Sequence, residues 1–455
     1  MNTLLLILSL FFYAWGEPSY VILLVGSLLL NYYVALFIEF NRGTLNAKFW
    51  LYIGIIVNIL LLIYFKYINF FLAIGLFNYV IDYLPEIARP SPNFNIALPL
   101  GISFYTFQAI SYLIDIHRGI TKAARSPVNF GCYLTMFPQL IAGPIVRYSS
   151  IAKELEKRTL NINKFSSGIK QFIFGLSKKM LIADTCGKVA DAAFAIPNEE
   201  ISFIVAWAGI CCYTLQIYFD FSGYSDMAIG IGRMFGFTFP ENFNYPYISR
   251  SIKEFWRRWH ITLGLWFRDY LYIPMGGNRN GIAVTCLNLL IVFTLCGFWH
   301  GADLIFLLWG MYHGIFLIIE RIFKKFFDSL PRILGHIYAI CVFTIGWLLF
   351  RSSSIEQFVS FLKGLFGGNK LTPQTFNVCL ELFSGDVYIA ISVGILLSTP
   401  IYPSIIKRIR SITTNNLIAS IMCSLLGYGW ILLLLLICLL PLYGSTYNSF
   451  IYFRF

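Results

Sequence analysis

Apolar runs of close to membrane-crossing length recur along almost the whole chain, at 2–15, 19–38, 49–65, 95–116, 171–187, 201–221, 282–300, 302–320, 334–350, 387–403 and 417–440. A helix needs about 20 such residues to cross the hydrocarbon of a bilayer. Backbone in lipid must also satisfy its own polar groups, which favours helices. The runs therefore predict an all-α polytopic membrane protein with about 11 transmembrane helices. A β-barrel would show short segments of alternating polarity instead. Composition agrees: 58% of residues are hydrophobic and 12% charged, against about 25% charged in a soluble domain. The 455 residues then fit one membrane-embedded domain, with no internal repeat and no separate soluble module.

Two further segments, 67–84 and 128–146, are apolar but ambiguous. The second contains Pro138, Gly143 and Pro144 between basic loops, the pattern of a re-entrant element that enters and leaves by one face. Such broken backbone survives at membrane depth only when packed in protein or lining a cavity. The net charge of +12 does not indicate nucleic acid, because the basic residues sit in loops between apolar runs, as cytoplasmic loops do. By that rule Arg42 and Lys48, then Arg118, Lys122 and Arg125, then Lys153 to Lys170, residues 246–280, Arg321 to Arg332, and Lys407, Arg408 and Arg410 face the cytoplasm. The C-terminus is then expected outside. The first apolar run lacks a preceding Lys or Arg, so it reads as a retained helix rather than a cleaved signal. The ten cysteines are scattered, without the paired spacing of a disulfide frame or zinc site.

The longest expected interruption, 222–281, is rich in Gly, Pro, aromatics and Arg, and too long for a simple turn. It contains Lys253-Glu254-Phe255-Trp256-Arg257-Arg258-Trp259-His260, and a second histidine follows within an apolar run at Phe298-Trp299-His300-Gly301. The chain has only five histidines, and an ionisable group at membrane depth is a functional candidate. His300 reads as a general base for a hydroxyl proton or as a hydrogen-bonding link between helices. His260 reads as a site residue or as part of an interfacial aromatic belt. His313 lies one helix beyond His300, while His117 and His336 sit in basic boundary positions. No HExxH or similar metal spacing is present. Arg250, Lys253, Arg257, Arg258, Arg268 and Arg279 form a basic cluster suited to phosphates of a cytosolic donor or to anionic lipid. Asp220 and Asp226 read as structural ion pairs, with an orienting role for the polar centre as the alternative. Neither a Gly-x-Ser-x-Gly elbow nor a Walker loop is present.

Several long motifs resemble the membrane-bound O-acyltransferase (MBOAT) family. They are Leu98-Pro99-Leu100-Gly101-Ile102-Ser103-Phe104-Tyr105-Thr106-Phe107, Phe137-Pro138-Gln139-Leu140-Ile141-Ala142-Gly143-Pro144, Pro240 to Tyr247, Trp256 to Leu263, Arg268 to Arg279, and Gly297 to Ala302. They run in order over nearly the whole chain. Within the family they look most like the bacterial members that acetylate alginate, and more distantly like those that D-alanylate teichoic acid. The resemblance implies a helical bundle around a central funnel or tunnel, with a catalytic core over about 95–325 and C-terminal helices over 334–455. It implies O-acetyl transfer from cytoplasmic acetyl-CoA, a co-substrate rather than a bound cofactor, to an extracytoplasmic polysaccharide through an SGNH-type partner transferase. His300 matches the principal catalytic position and His260 the second, which holds the donor or helps stabilise the developing charge. Lys253, Arg257, Arg258, Arg268 and Arg279 would bind the donor, with Asp220, Trp299 and Asn242 in support and no metal. The ending Phe450-Ile451-Tyr452-Phe453-Arg454-Phe455 resembles a C-terminal motif whose tyrosine carries an acyl group, which would make Tyr452 a carrier. An interfacial aromatic anchor is the alternative for Tyr452. Teichoic-acid acylation from a carrier-protein thioester and a non-enzymatic export scaffold are the other functional readings.

Overall fold

The apolar runs fold as helices. A computed structural model describes residues 1–75, 96–141, 143–367, 372–373, 375–376, 380, 383–413 and 417–444, which contain helices and connecting loops but no strand. They divide into two compact units, Met1–Asn161 with Phe235–Pro240, and Ile162–Met234 with Glu241–Phe455. Tyr452 lies outside the described residues.

The first unit contains α1 (Asn2–Gly16), α2 (Val21–Phe40), α3 (Leu45–Ala73, with a π turn at Ile63–Tyr67), α4 (Ile102–Arg118), α5 (Pro127–Thr135), α6 (Phe137–Leu140) and α7 (Tyr148–Glu156). α2 and α3 are long and apolar enough to cross a membrane. They are tied by a reciprocal amide pair: Asn58 Nδ2 donates to Asn31 Oδ1 at 2.8 Å, and Asn31 Nδ2 returns to Asn58 Oδ1 at 3.3 Å. Amides buried between helices find partners in this way because hydrocarbon offers none. The described residues of 128–146 are broken into short helices and mostly buried, and α5 and α6 are too short to span. Side chains satisfy this interrupted backbone. Ser9 Oγ accepts from the Phe137 N–H at 3.2 Å, Gln139 Nε2 donates to the Tyr133 carbonyl at 2.6 Å, and the Tyr133 hydroxyl donates to the Val146 carbonyl at 3.1 Å.

The second unit begins with α8 (Ile162–Ser177), which passes through a π turn at Lys178–Ala183 into α9 (Asp184–Phe194). α10 (Phe203–Met234) is 32 residues long; at 1.5 Å per residue it extends about 48 Å, more than a hydrocarbon core requires. After it come α11 (Ile252–Arg258), α12 (Ile261–Phe267), α13 (Gly281–His300), α14 (Leu304–Ile322), α15 (Lys324–Ser329), α16 (Arg332–Arg351), α17 (Ile355–Leu365), α18 (Gly385–Leu397), α19 (Ile401–Thr413) and α20 (Leu417–Gly444).

Among the described residues seven helices are long and apolar enough to cross, five of them in this unit: α10, α13, α14, α16 and α20. The expected 387–403 run is bent by 69° between α18 and α19. The expected 2–15 run is a 15-residue helix, and the expected 171–187 run is split by the π turn.

The interruption expected from 222 begins instead at 235, because α10 continues through Ser222-Gly223-Tyr224-Ser225-Asp226. Those small and polar residues resemble a loop in sequence but serve helix packing. A Cβ on Gly223 would lie 2.7 Å from the Gly175 carbonyl oxygen, and one on Gly230 would lie 2.7 Å from that of Gly168. Small residues here let α8 and α10 approach backbone to backbone. Asp226 is meanwhile satisfied by Lys178 Nζ at 2.6 Å and by Gln171 Nε2 at 3.0 Å.

Candidate active site

α11 carries the basic aromatic motif. Its first turn is capped twice. The Ser251 hydroxyl accepts from the Glu254 N–H at 3.0 Å, the start of a capping box. Glu320, reaching from α14, accepts from the N–H groups of Ile252 at 2.5 Å and Lys253 at 3.0 Å. A carboxylate suits the positive end of a helix, and this one docks α11 onto α14. The inner face of α11 is aromatic: Phe255 stacks on Phe343 with ring centres 5.0 Å apart, and Trp256 packs edge-on to His313 at 5.0 Å and to Trp309 at 5.6 Å. Trp259, just past the end of α11, meets Trp347 at 4.6 Å.

The chain then turns sharply. His260 has φ 43°, ψ 54°, left-handed geometry that costs a non-glycine residue about 1–3 kcal/mol. Tyr245, at φ 47°, shares this trait, and among the described residues these two are the non-glycine residues with positive φ. The two strained residues belong to segments that pair with each other: Asn244 N–H donates to the Arg258 carbonyl and Ile261 N–H to the Asn242 carbonyl, each at 2.9 Å. His260 Nδ1 lies 3.1 Å from Asn242 Oδ1, which also accepts from the Thr262 N–H at 3.2 Å and the Thr262 hydroxyl at 2.8 Å. Asn242 Nδ2 donates to Ser225 Oγ on α10 at 3.2 Å. Burial pushes the His260 imidazole down to about 3, so the ring is neutral near pH 7.

His300 is the last residue of α13 and is buried. A short turn leads to Asp303, whose side chain caps α14 by accepting from the Ile305 N–H at 2.9 Å. The two helices touch through glycines: a Cβ on Gly297 would lie 2.2 Å from the Phe306 carbonyl oxygen, and one on Gly310 would lie 2.2 Å from that of Phe293. This contact sets the depth of His300 in a box of rings formed by Trp299 at 5.0 Å, Trp309 at 5.2 Å and Phe350 at 5.5 Å. Trp299 also lies 6.3 Å from His260. The two imidazoles are therefore neighbours across a single indole. Trp309 extends the cluster to His313 at 5.1 Å.

A site with two buried histidines, an amide-oriented ring and an aromatic enclosure can hold a neutral base beside a water-poor reaction centre. The chain is also similar to known proteins. The model of the MBOAT, membrane-bound O-acyltransferase, family matches residues 121–355, a segment that holds every residue of the cluster. The chain belongs to the membrane-bound O-acyltransferase family. It is 44% identical to "Probable alginate O-acetylase AlgI" of Pseudomonas aeruginosa over 78% of this chain and 68% of that one. Similarity to the peptidoglycan O-acetyltransferase of Helicobacter pylori is 38% identity over 80% and 73%. The teichoic acid D-alanyltransferase of Bacillus subtilis matches at 28% over 53% and 64%. As an acyltransferase the protein is not the non-enzymatic scaffold considered above.

The other candidates of the acyltransferase lie as follows. Asn242 and Trp299 contact the histidines directly. Asp220 pairs with Lys179 at 2.9 Å, and Lys179 also meets Asp184 at 2.7 Å, so Asp220 joins a buried ion network rather than the basic cluster. Lys253, Arg257 and Arg279 are exposed. Arg258 is half-buried, pairs with Glu254 at 2.9 Å and donates to the Asn244 carbonyl at 3.0 Å; Arg268 pairs with Asp269 at 2.6 Å. Among the described residues no three His, Cys, Asp or Glu side chains converge as a metal would require.

Beside the histidine cluster the acyltransferase has a cavity of about 820 Å³ bounded by α8, α10, residues 241–245, α18 and α20. Its wall is mainly apolar, with Ser225 and Asn242 on it, which places His260 one hydrogen bond behind the wall. Sequence reasoning missed Glu320. A lone acidic residue near the end of an apolar helix was its only signal.

Proposed function

We propose that the protein is an O-acetyltransferase that moves an acetyl group from cytoplasmic acetyl-CoA to an exported polysaccharide. The observation that carries this reading is the meeting of His260 and His300 on Trp299, in a chain similar to two proteins named for O-acetyl transfer. His300 is the general base. Its imidazole takes the proton of the acceptor hydroxyl as that oxygen attacks the thioester carbonyl. The carbon–oxygen bond forms, the carbon–sulfur bond breaks, and the leaving thiolate recovers the proton from the imidazolium. His260 contacts the bound substrate beside it. The exposed Lys253, Arg257 and Arg279, with Arg258 and Arg268, attract the donor's phosphates, the arginines through their planar fork.

In this reading the protein spans the cytoplasmic (inner) membrane with about 11 helices around a tunnel that hands the acetyl group outward, since a charged CoA cannot cross hydrocarbon. The C-terminus lies outside. There Tyr452 accepts the acetyl group on its phenol oxygen and passes it to the polysaccharide through an SGNH-type partner.

Purified protein in lipid nanodiscs, supplied with an SGNH-type partner and oligosaccharide acceptors, should release CoA thiol from acetyl-CoA, and His300→Ala should not. Intact-mass analysis should find an acetyl adduct that maps to Tyr452; its absence from an active protein rejects the carrier step. Turnover of a carrier-protein thioester without turnover of acetyl-CoA would favour D-alanyl transfer to teichoic acid, the reading supported by the Bacillus subtilis relative.

A further inference from the structure

The hydrogen bonds around Asn242 fix which nitrogen of His260 carries the proton. Amide oxygen and nitrogen look alike in shape, but here a neighbour distinguishes them. The backbone N–H of Thr262 can only donate, and it faces the Asn242 side-chain atom at 3.2 Å. That atom must be the oxygen, because a turned amide would set N–H against N–H. The other end of the same amide agrees, since its nitrogen donates to Ser225 Oγ at 3.2 Å. His260 Nδ1 stands 3.1 Å from the same oxygen, so Nδ1 must supply the hydrogen. In a neutral imidazole the remaining nitrogen is then a lone-pair acceptor. Nε2 is fully buried and has no hydrogen-bond partner among the described residues, and a buried polar atom of this kind calls for one.

We infer that Asn242 is a positioning residue that locks His260 as the Nδ1–H tautomer, leaving Nε2 to accept a hydrogen bond from an N–H or O–H of bound substrate. The inference rests on the acetyl-transfer reading only for the identity of that substrate. It also decides between the two roles expected for His260. A neutral ring held in this way has no Nε2 hydrogen to offer a developing oxyanion, so His260 holds substrate by accepting. The left-handed backbone at His260 fits this purpose, because the turn brings Nδ1 back to the 242–244 segment. Two aromatic rings pack on the imidazole, Phe221 edge-on at 4.7 Å and Trp299 at 6.3 Å. Neither is charged, and the ring's displaced titration comes from burial without a charged contributor.

The test begins with the resting protein. The full chain, labelled with nitrogen-15 histidine in lipid nanodiscs at pH 7, should show one residue with a protonated Nδ1 and a bare Nε2, assigned by its loss in His260→Gln. A protonated Nε2 on His260 overturns the inference, and no substrate is needed to see it, so the result stands apart from the acetyl-transfer reading. Asn242→Leu should then let the signal redistribute between tautomers and lower kcat at least about tenfold. If that variant folds, loses turnover and keeps the tautomer, positioning by Asn242 is rejected. Asn242→Asp keeps the accepting oxygen and should retain turnover at pH 8. It should lose turnover on acidification more steeply than the wild type, because a carboxylate favours the imidazolium, which has no lone pair. Turnover that rises on acidification would mean that His260 acts as a donor, and the proposal fails. If Asn242→Leu does not fold, the wild-type spectrum and Asn242→Asp decide.

Discussion

His260 sits on a backbone turn held in the left-handed region and is gripped at Nδ1 by Asn242. His300 instead closes a regular helix and lies among the rings of Trp299, Trp309 and Phe350. The first is oriented by a hydrogen bond with a fixed direction, the second by the shape of an aromatic box and the spacing of two helices. Hydrogen bonds select a tautomer, whereas packing selects a depth. The two halves of the site should therefore fail under different insults: His260 when a polar atom is changed, His300 when α13 and α14 are forced apart.

The largest effect separates chemistry from architecture. Replacing His300 with Ala should cost about 10³-fold in acetyl transfer, the range of a lost general base. The thermal midpoint should fall far less than a lost helix contact would make it fall, because the cavity lies at a helix end. Turnover within about tenfold of wild type would remove His300 from the base role and leave His260 as the better candidate.

A second, smaller effect tests the depth argument. In Gly297→Val the new Cβ would stand 2.2 Å from the Phe306 carbonyl oxygen, so the helices must separate. Overpacking of this kind costs about 3 kcal/mol, and displacement of His300 should lower kcat as well. The control is Gly264→Ala, whose Cβ would meet only the Trp256 carbonyl oxygen at 3.6 Å; its midpoint and turnover should stay close to wild type. Equal behaviour of the two variants would show that the α13–α14 contact does not set His300.

What was legible in the sequence follows the same division. Contiguous motifs gave His260, His300, Trp299 and Asn242, because each lies in a short stretch whose pattern departs from its apolar surroundings. The spans α2, α13, α14 and α16 were readable from length and composition. The continuation of α10 to Met234 was not, since Gly223, Ser225 and Asp226 look like loop residues until α8 is present to pack on the glycine and pair with the aspartate. Nor was the capping of α11 by Glu320, a contact across 68 residues of sequence. The partner of Asp220 was equally hidden: an ion pair was expected, but only the fold shows that Lys179 supplies the charge. Local pattern carries side-chain identity, but long-range pairing depends on helix contacts that no single segment encodes.

Glu320→Gln sharpens the His260 side of the comparison. The amide keeps one acceptor for the N-terminus of α11 but turns an NH₂ toward the other N–H. Losing one charge-assisted bond should cost about 2 kcal/mol. Because α11 leads directly into His260, the His260 nitrogen-15 signals should shift or broaden in this variant while those of His300 stay in place. Equal disturbance of both would mean that the two halves are not separately supported.

The smallest expected effect is a slope. Burial holds the folded His260 imidazole at about 3, whereas the unfolded ring titrates at its ordinary value near 6.5. Between those values the unfolded chain binds a proton that the folded site refuses, so stability falls as pH falls below about 6.5 and is unaffected above it. The slope approaches 1.4 kcal/mol per pH unit, roughly, within that window. His260→Gln removes this term. Thermal midpoints of the two proteins should run parallel from pH 8 to pH 7, then the wild type should drop relative to the variant between pH 6 and pH 5. Parallel curves throughout would mean that the folded ring takes up a proton as readily as the unfolded one. A ring that did so would not remain a neutral acceptor at mildly acidic pH, and the contrast between a hydrogen-bond-fixed His260 and a packing-fixed His300 would then lose its electrostatic basis while keeping its geometric one.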